Sequence, residues 1–347
     1  MIYIGDNMKI KKEFIELIFL FSAAILLIAF SSSAKSGAFN GLEMAGRIVI
    51  PSLLPLLIII NLISNAETKN IIEKILSPFT EKILRLPRST GSAVFFGLIG
   101  GYPTGALLTD SLYSNEDIDS ETAKRLLRFN VNGGAAFIIT ATGTSVLKSQ
   151  KAGIILFAST TAAALLIAFL SSFHYKKINY PVPGYCSLSL GEALNKSTEN
   201  SIRAVLNITA YIVLFSAISN ILTIPQPLIP IFEITNGIVE NFRIFTLPEL
   251  AGLLSFAGLC IHFQLLSVIK KIGMHYFDFF IWRVFHSVLS YGICFLLLKV
   301  FPTETAVFSN LADITAKPIS VNTALSVLMI LGCAVIILDI ESRKRKI

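Results

Sequence analysis

Between Ser89 and Thr109 the chain reads STGSAVFFGLIGGYPTGALLT, a stretch without Asp, Glu, Lys or Arg that is interrupted by Gly100-Gly101-Tyr102-Pro103-Thr104-Gly105. Its length is about the 20 residues a helix needs to cross the hydrocarbon core of a bilayer. The interruption forbids a straight helix. Pro103 has no amide to donate, and the paired glycines admit backbone conformations closed to other residues, so a break is expected between 100 and 105. Two half-helices meeting at a tip would leave the amides of Thr104 and Gly105 at membrane depth, free for an anion or a polar solute. Gly101, Tyr102, Pro103, Thr104 and Gly105 are therefore candidate solute-binding residues.

The same absence of charge recurs at 17–34, 48–66, 129–147, 152–173, 204–232, 250–269, 284–298 and 318–338. Of the 347 residues 54% are hydrophobic and 15% charged, with a mean hydropathy of +0.71, whereas soluble domains carry roughly 25% charge. Backbone polar groups in lipid must be satisfied internally, and the runs lack the alternation of a barrel strand. The expected class is an all-α polytopic membrane protein of about eight transmembrane helices, some broken or re-entrant. The run at 152–173, rich in Ala and Leu, reads as scaffold.

The net charge of +7 does not point to nucleic acid, because the basic residues lie in short clusters beside the apolar runs. Lys9, Lys11 and Lys12 precede the first run. Lys69, Lys74, Lys82, Arg85 and Arg88 follow the second, and Lys176, Lys177, Lys196 and Arg203 fall near the middle of the chain. Arg343, Lys344, Arg345 and Lys346 end it. This positive-inside pattern puts the N-terminus, the loops at 67–88, 110–128 and 174–203, and the basic tail in the cytoplasm. The first run is read as a retained helix rather than a cleaved signal. Within 110–128, early acids and late bases read as an amphipathic surface helix.

Four cysteines, Cys186, Cys260, Cys294 and Cys333, have no paired spacing, and the four histidines, His174, His262, His275 and His286, form no i, i+4 pair. Neither a metal site nor a cofactor is expected.

Polar residues inside apolar runs are costly and mark candidate sites. Asn130-Val131-Asn132-Gly133-Gly134 opens one run, and Asn130, Asn132 and Gly133 read either as a cavity lining or as a helix cap. Glu233, Thr235 and Asn236 follow a long uncharged stretch containing Pro225, Pro227 and Pro230, and Glu233 reads as a site or a rim residue. His262 and Gln264, two positions apart, face one cavity only if their helix breaks near Gly258 to Cys260.

An offset of 158 lays Gly100 on Gly258, Arg125 on Arg283 and Gly134 on Gly292, and brings Asn61 within one residue of Asn220. Two halves with breaks at matching places are the pattern of a secondary transporter built from an inverted repeat. The organisation is one membrane domain over 1–347: an N-terminal helix at 1–40, a first repeat at 41–175, a cytoplasmic linker at 176–203, a second repeat at 204–300, and a C-terminal helix with basic tail at 301–347. If 250–269 re-enters, the tail falls outside. If it crosses, the tail is inside and the repeat is imperfect.

Together Pro51-Ser52-Leu53-Leu54-Pro55, Gly100-Gly101-Tyr102-Pro103-Thr104-Gly105-Ala106, the stretch from Arg125 to Gly134, Glu233-Ile234-Thr235-Asn236-Gly237 and Ser255-Phe256-Ala257-Gly258-Leu259-Cys260 resemble the sporulation integral membrane protein family of the YlbJ type, within the proteins carrying a nucleoside-recognition (Gate) domain. The resemblance runs from about 40 to 300 and departs at Ala135, where that pattern has Pro. It implies a multi-pass protein of the bacterial cell membrane, or of the forespore membrane in a spore former, that moves dipicolinic acid toward the forespore. The Gate label implies re-entrant hairpins and a nucleoside-like solute.

A flat dianion would suit the amides at 103–105 with His262 or Arg283 on its second carboxylate. A nucleoside would use Asn130, Asn132, Asn236 and Glu233. The chain is read as a secondary transporter of a small polar or anionic solute. It is not expected to be an enzyme, since no phosphate-binding Gly-Lys-Ser/Thr loop is present and the acids at 110–121 read as a solvated connector. A non-transporting membrane scaffold is the remaining alternative, and homo-oligomerisation is left open. A single cysteine introduced at 347 should react with an impermeant thiol reagent only after the cells are permeabilised; labelling of intact cells would place the tail outside.

Overall fold

The computed structural model describes residues 20–65, 68–173 and 188–303, together with 14, 17 and 18. His174, Cys186, Cys333, the run at 318–338, the basic tail and the start of the linker lie outside the described residues. What is described is helical, without a strand among the described residues. In chain order the helices are α1 (Leu20–Ala29), α2 (Ser31–Asn65), α3 (Thr68–Ser77), α4 (Gly91–Gly100), α5 (Thr104–Ser114), α6 (Ser120–Phe129), α7 (Ala136–Val146), α8 (Gln150–Ser172), α9 (Leu190–Ile221), α10 (Ile229–Phe232), α11 (Ile234–Asn241), α12 (Leu247–Phe256), α13 (Gly258–Ile272) and α14 (Tyr276–Val300). Five stretches are long and apolar enough to cross a bilayer: α2, α8, α9, α12 with α13, and α14. The protein is an all-α polytopic membrane protein.

The charges at Lys35, Glu43 and Arg47 are expected to separate two crossings, yet α2 runs unbroken through them for 35 residues. Ala34, Gly37, Gly41, Ala45, Val49, Leu53, Leu57 and Ile60 are buried at helical spacing along one face, while Glu43 and Arg47 pair with each other at 3.0 Å on an exposed face. The charges thus need no loop. Small residues let α2 lie close against α9, as in membrane helix pairs generally: a Cβ on Gly37 would stand 2.5 Å from the Ser216 carbonyl oxygen. The two helices run antiparallel, since Asn220 donates to the Ser33 carbonyl at one end and Asn61 to Ser201 at the other.

Three interruptions shape the interior. At the first, α4 and α5 pack against each other as a re-entrant hairpin whose tip holds Gly101 at φ +91° and a cis Tyr102–Pro103 bond. At the second, α6 ends and residues 131–134 have no regular structure before the helix resumes at Ala135. At the third, Ala257 and Gly258 both take positive φ between α12 and α13. The first and second touch: a Cβ on Gly101 would lie 2.8 Å from the Gly134 amide nitrogen, and one on Gly105 1.7 Å from the Asn130 carbonyl oxygen.

The third break differs from the first. α12 packs along α14 and α13 packs along α9 and α5, so the pair does not fold back on itself. The far end of α13 instead reaches the end of α5, where Lys271 meets Asp110 at 2.8 Å and Ser114 at 2.7 Å. α12 and α13 together form one stretch long and apolar enough to cross the bilayer, with a break inside it rather than a hairpin.

The segment 110–128 is also corrected. α5 extends through Asp110 to Ser114, and α6 is no surface helix, because Thr122, Ala123, Arg125, Leu126, Leu127 and Phe129 are all buried. Its apolar face packs against protein rather than lipid, while Glu121 and Lys124 pair at 2.8 Å on the outer side. Asp119 caps it by accepting from the Thr122 amide at 2.8 Å.

Arg125 and Arg283, paired by the 158-residue offset, are both enclosed and both spend their guanidinium groups on main-chain carbonyls. Arg125 donates to the carbonyls of Leu84, Arg85 and Ala168 and to Ser171. Arg283 donates to those of Arg128 and Val131, where α6 stops. Carbonyls freed by a helix end inside a membrane have no water to turn to.

The contact between hairpin and break is tight enough to test. Gly105→Ala should destabilise the detergent-purified protein by about 3 kcal/mol or more, the upper end for an overpacked interior, seen as a lower Tm. Gly292→Ala, with nothing within 4 Å of its added Cβ, should leave Tm unchanged or slightly raised.

Candidate functional site

A cavity of about 470 Å³ opens between α2, the α4–α5 hairpin, α9 and α13, a volume in the range that takes small-molecule ligands. Of the residues anticipated from sequence, Pro103, Thr104 and Gln264 line it. Thr104 starts α5, whose first turn receives no side-chain cap. The Thr104 hydroxyl and the Gln264 carbonyl oxygen Oε1 are buried without a hydrogen-bond partner, although buried polar atoms are ordinarily paired. The amide of Gln264 makes only a 3.5 Å contact to the Cys260 sulfur. One helix break and the interior of α13 thus each supply a residue with an unsatisfied polar group to the lining of one cavity.

Its remaining polar wall comes from helices whose apolar runs hide the signal. Asn61 and Asn65 on α2 and Asn200, Arg203 and Asn207 on α9 line it. The spacings of four, and of three then four, put each set on one helical face. That periodicity along each helix was the available signal. Arg203 stands at the mouth and pairs with Glu199 at 2.7 Å, both side chains largely exposed. Among the described residues no Asp or Glu lines this cavity.

The other anticipated residues are placed elsewhere. Asn130 is wedged between the arms of the hairpin, donating to the Ala93 carbonyl at 2.9 Å and more weakly to Gly105 at 3.5 Å. Neither Asn130 nor Asn132 lines the larger cavity; Asn132 donates to Thr161 at 3.4 Å. Gly101, Gly133 and Tyr102 belong to the packing of the tip, where the Tyr102 hydroxyl donates to the Leu254 carbonyl. Gly105 is pressed against Asn130.

His262 spans the third break: Nε2 donates to the Phe256 carbonyl at 2.9 Å, which leaves Nδ1 to accept from the Tyr276 hydroxyl at 3.2 Å. It is fully enclosed, against Phe256, Phe279 and Phe280. Neither His262 nor Arg283 faces the larger cavity, so the expected second carboxylate partner is not there. Among the described residues Arg203 is the only guanidinium that lines it.

Glu233, Thr235 and Asn236 gather at a second, smaller cavity or beside it. Glu233 caps α11, its two carboxylate oxygens accepting from the amides of Thr235 at 2.8 Å and Asn236 at 2.6 Å. Asn236 donates to Ser216 at 2.5 Å. Glu233 and Asn236 line a space of about 120 Å³ with residues of α2 and the far half of α9. Thr235 is buried next to it. Between the two cavities along the α2–α9 seam lies an apolar cluster of Val49, Leu53, Leu57, Val205, Ile208, Ile212, Phe215 and Cys260. No group of three His, Cys, Asp or Glu suited to a metal occurs among the described residues.

The chain is 24% identical over 349 aligned positions to the sporulation integral membrane protein YlbJ of Bacillus subtilis (strain 168), covering 86% of this chain and 85% of that one. No family model matches it, and neither does any solved structure. That relative is described as an integral membrane protein of sporulation.

Proposed function

We propose that the protein is a secondary transporter and that the 470 Å³ cavity is its solute site, seen in a conformation open toward the face that carries the ends of α5 and α13. The observation that carries this reading is that Thr104 at the hairpin break and Gln264 within α13, with Thr104 Oγ1 and Gln264 Oε1 both unpaired, line one cavity at membrane depth. A purely structural bundle would gain nothing from leaving these groups unsatisfied. By the charge of its loops, the open face is cytoplasmic. The apolar cluster from Val49 to Cys260 closes the way to the other side, and alternating access would consist of parting it while the cytoplasmic side narrows.

The wall of amides, hydroxyls and one arginine, with no carboxylate, supports a small anionic solute over a nucleoside. The acceptor that a nucleoside would need, Glu233, lies at the other cavity. Dipicolinate, implied by the resemblance to the sporulation proteins, is the solute to test first, with movement into the forespore as the accompanying expectation. Arg203 replaces His262 and Arg283 as the partner for its second carboxylate, exchanging Glu199 for the ligand.

Proteoliposomes containing the purified chain should accumulate labelled dipicolinate. Gln264→Leu, which removes the amide Nε2 that can donate to an anion, and Thr104→Val, which removes the hydroxyl donor, should each lower uptake about tenfold, the loss expected for one hydrogen bond to a charged group, while Thr104→Ser should retain most of it. Gln264→Glu, which adds a like charge beside the anion, should lower uptake further. Absence of uptake of dipicolinate and other small carboxylates by folded protein, or indifference to these substitutions, would overturn the assignment.

A further inference from the structure

The two cavities differ in charge. Among the described residues, the larger is lined by an arginine and no acid, the smaller by Glu233 and Glu240 and by no Lys, Arg or His. Glu233 is 1% exposed, and no cationic side chain balances it within the cavity. Its two amide bonds leave lone pairs on both oxygens, since a carboxylate has about four acceptor sites. Glu240 stands at the exposed end of the wall.

The neutral residues around Glu233 are short of partners in the same sense. Asn236 is 5% exposed and its Oδ1 has no hydrogen-bond partner; Ser219 is 9% exposed and its hydroxyl has none either. Asn40, on α2, adds a further amide oxygen to the wall. The bland reading of Glu233, a helix cap, accounts for its two amide bonds and for nothing else here. It leaves one buried carboxyl group and two orphaned oxygens beside a partly open space.

We propose that this smaller cavity binds a monovalent metal cation, sodium in the first instance, held by Glu233, Asn236, Ser219 and Asn40, with Glu240 drawing the ion to the mouth. One buried carboxylate balances one positive charge, and hard neutral oxygens complete the shell of a hard cation. A divalent ion would ask for more charge than the single buried acid supplies. The space of about 120 Å³ lets the ion keep some of its water. The ion would sit where α9, α10 and α11 meet α2, on the far side of the apolar cluster from the solute. Binding there would tie α11 to α9 and α2, and so bias the seam that must part. That coupling rests on the transport reading; the binding itself does not.

The test uses the full chain in detergent at fixed pH and ionic strength, exchanging choline chloride for sodium chloride. A ligand that binds only the folded state must raise Tm, so a saturable, sodium-specific increase is expected. Ser219→Ala removes a hydroxyl that has no partner and should therefore fold normally in choline. Its half-saturating sodium concentration should rise about tenfold, the equivalent of about 1.4 kcal/mol. Glu233→Gln keeps an oxygen for the α11 cap but should abolish the sodium response, and Glu240→Gln should weaken it by a smaller factor.

No difference between sodium and choline in the wild type, or a response that survives in both Ser219→Ala and Glu233→Gln, would overturn the site. In proteoliposomes an inward sodium gradient should drive solute movement. Sodium-specific stabilisation without transport of any solute would uphold the cation site and overturn the transport reading instead.

Discussion

A helix that stops inside a bilayer leaves carbonyl and amide groups that water cannot reach, and the interior of this protein is organised around meeting that demand. Arg283 crosses from α14 to accept the burden of the carbonyls at the end of α6, and Asn130 closes the gap between the arms of the α4–α5 hairpin. His262 returns to the last carbonyl of α12 across the break it follows, and Tyr102 reaches a carbonyl of the same helix from the hairpin tip. These residue types are the ones that sequence inspection would nominate as solute ligands. Most of them are bound to backbone instead.

What is left over is informative for that reason. Once the breaks have been satisfied, the unpaired groups of Thr104 and Gln264 stand out at the larger cavity, and those of Asn236 and Ser219 at the smaller one. The two spaces lie toward opposite ends of the antiparallel α2–α9 pair, with an apolar cluster between them. Their linings differ in sign, one with an arginine and no acid, the other with acids and no base. In a low-dielectric interior such differences are felt more strongly than on a solvated surface.

Departures from the expected architecture share a cause. Lys35, Glu43 and Arg47 look like a loop in a hydropathy reading, but on a helix they fall on the face turned from α9, and the helix passes through. The chain between 115 and 129 looks like a surface connector because its outer side is polar, but the opposite face of α6 packs into protein, where Arg125 joins the 84–85 segment to α8. Linear charge-free runs are thus a good guide to where lipid is and a weaker guide to where helices begin.

By itself the sequence determined the solvent and the interruptions. The uncharged runs demand a helical membrane protein, and Gly-Gly with Pro at 100–103, Asn-Gly-Gly at 132–134 and Gly258 identify the places where a helix has to stop, because backbone chemistry is local. It also paired Arg125 with Arg283. Only the tertiary structure decided that the first break turns back while the third goes through, and that His262 and Asn130 serve the backbone while Gln264 serves a cavity. It alone brought Asn61, Asn65, Asn200, Arg203 and Asn207 to one wall. Those outcomes depend on which helix lies opposite, a property of packing that no stretch of the chain carries alone.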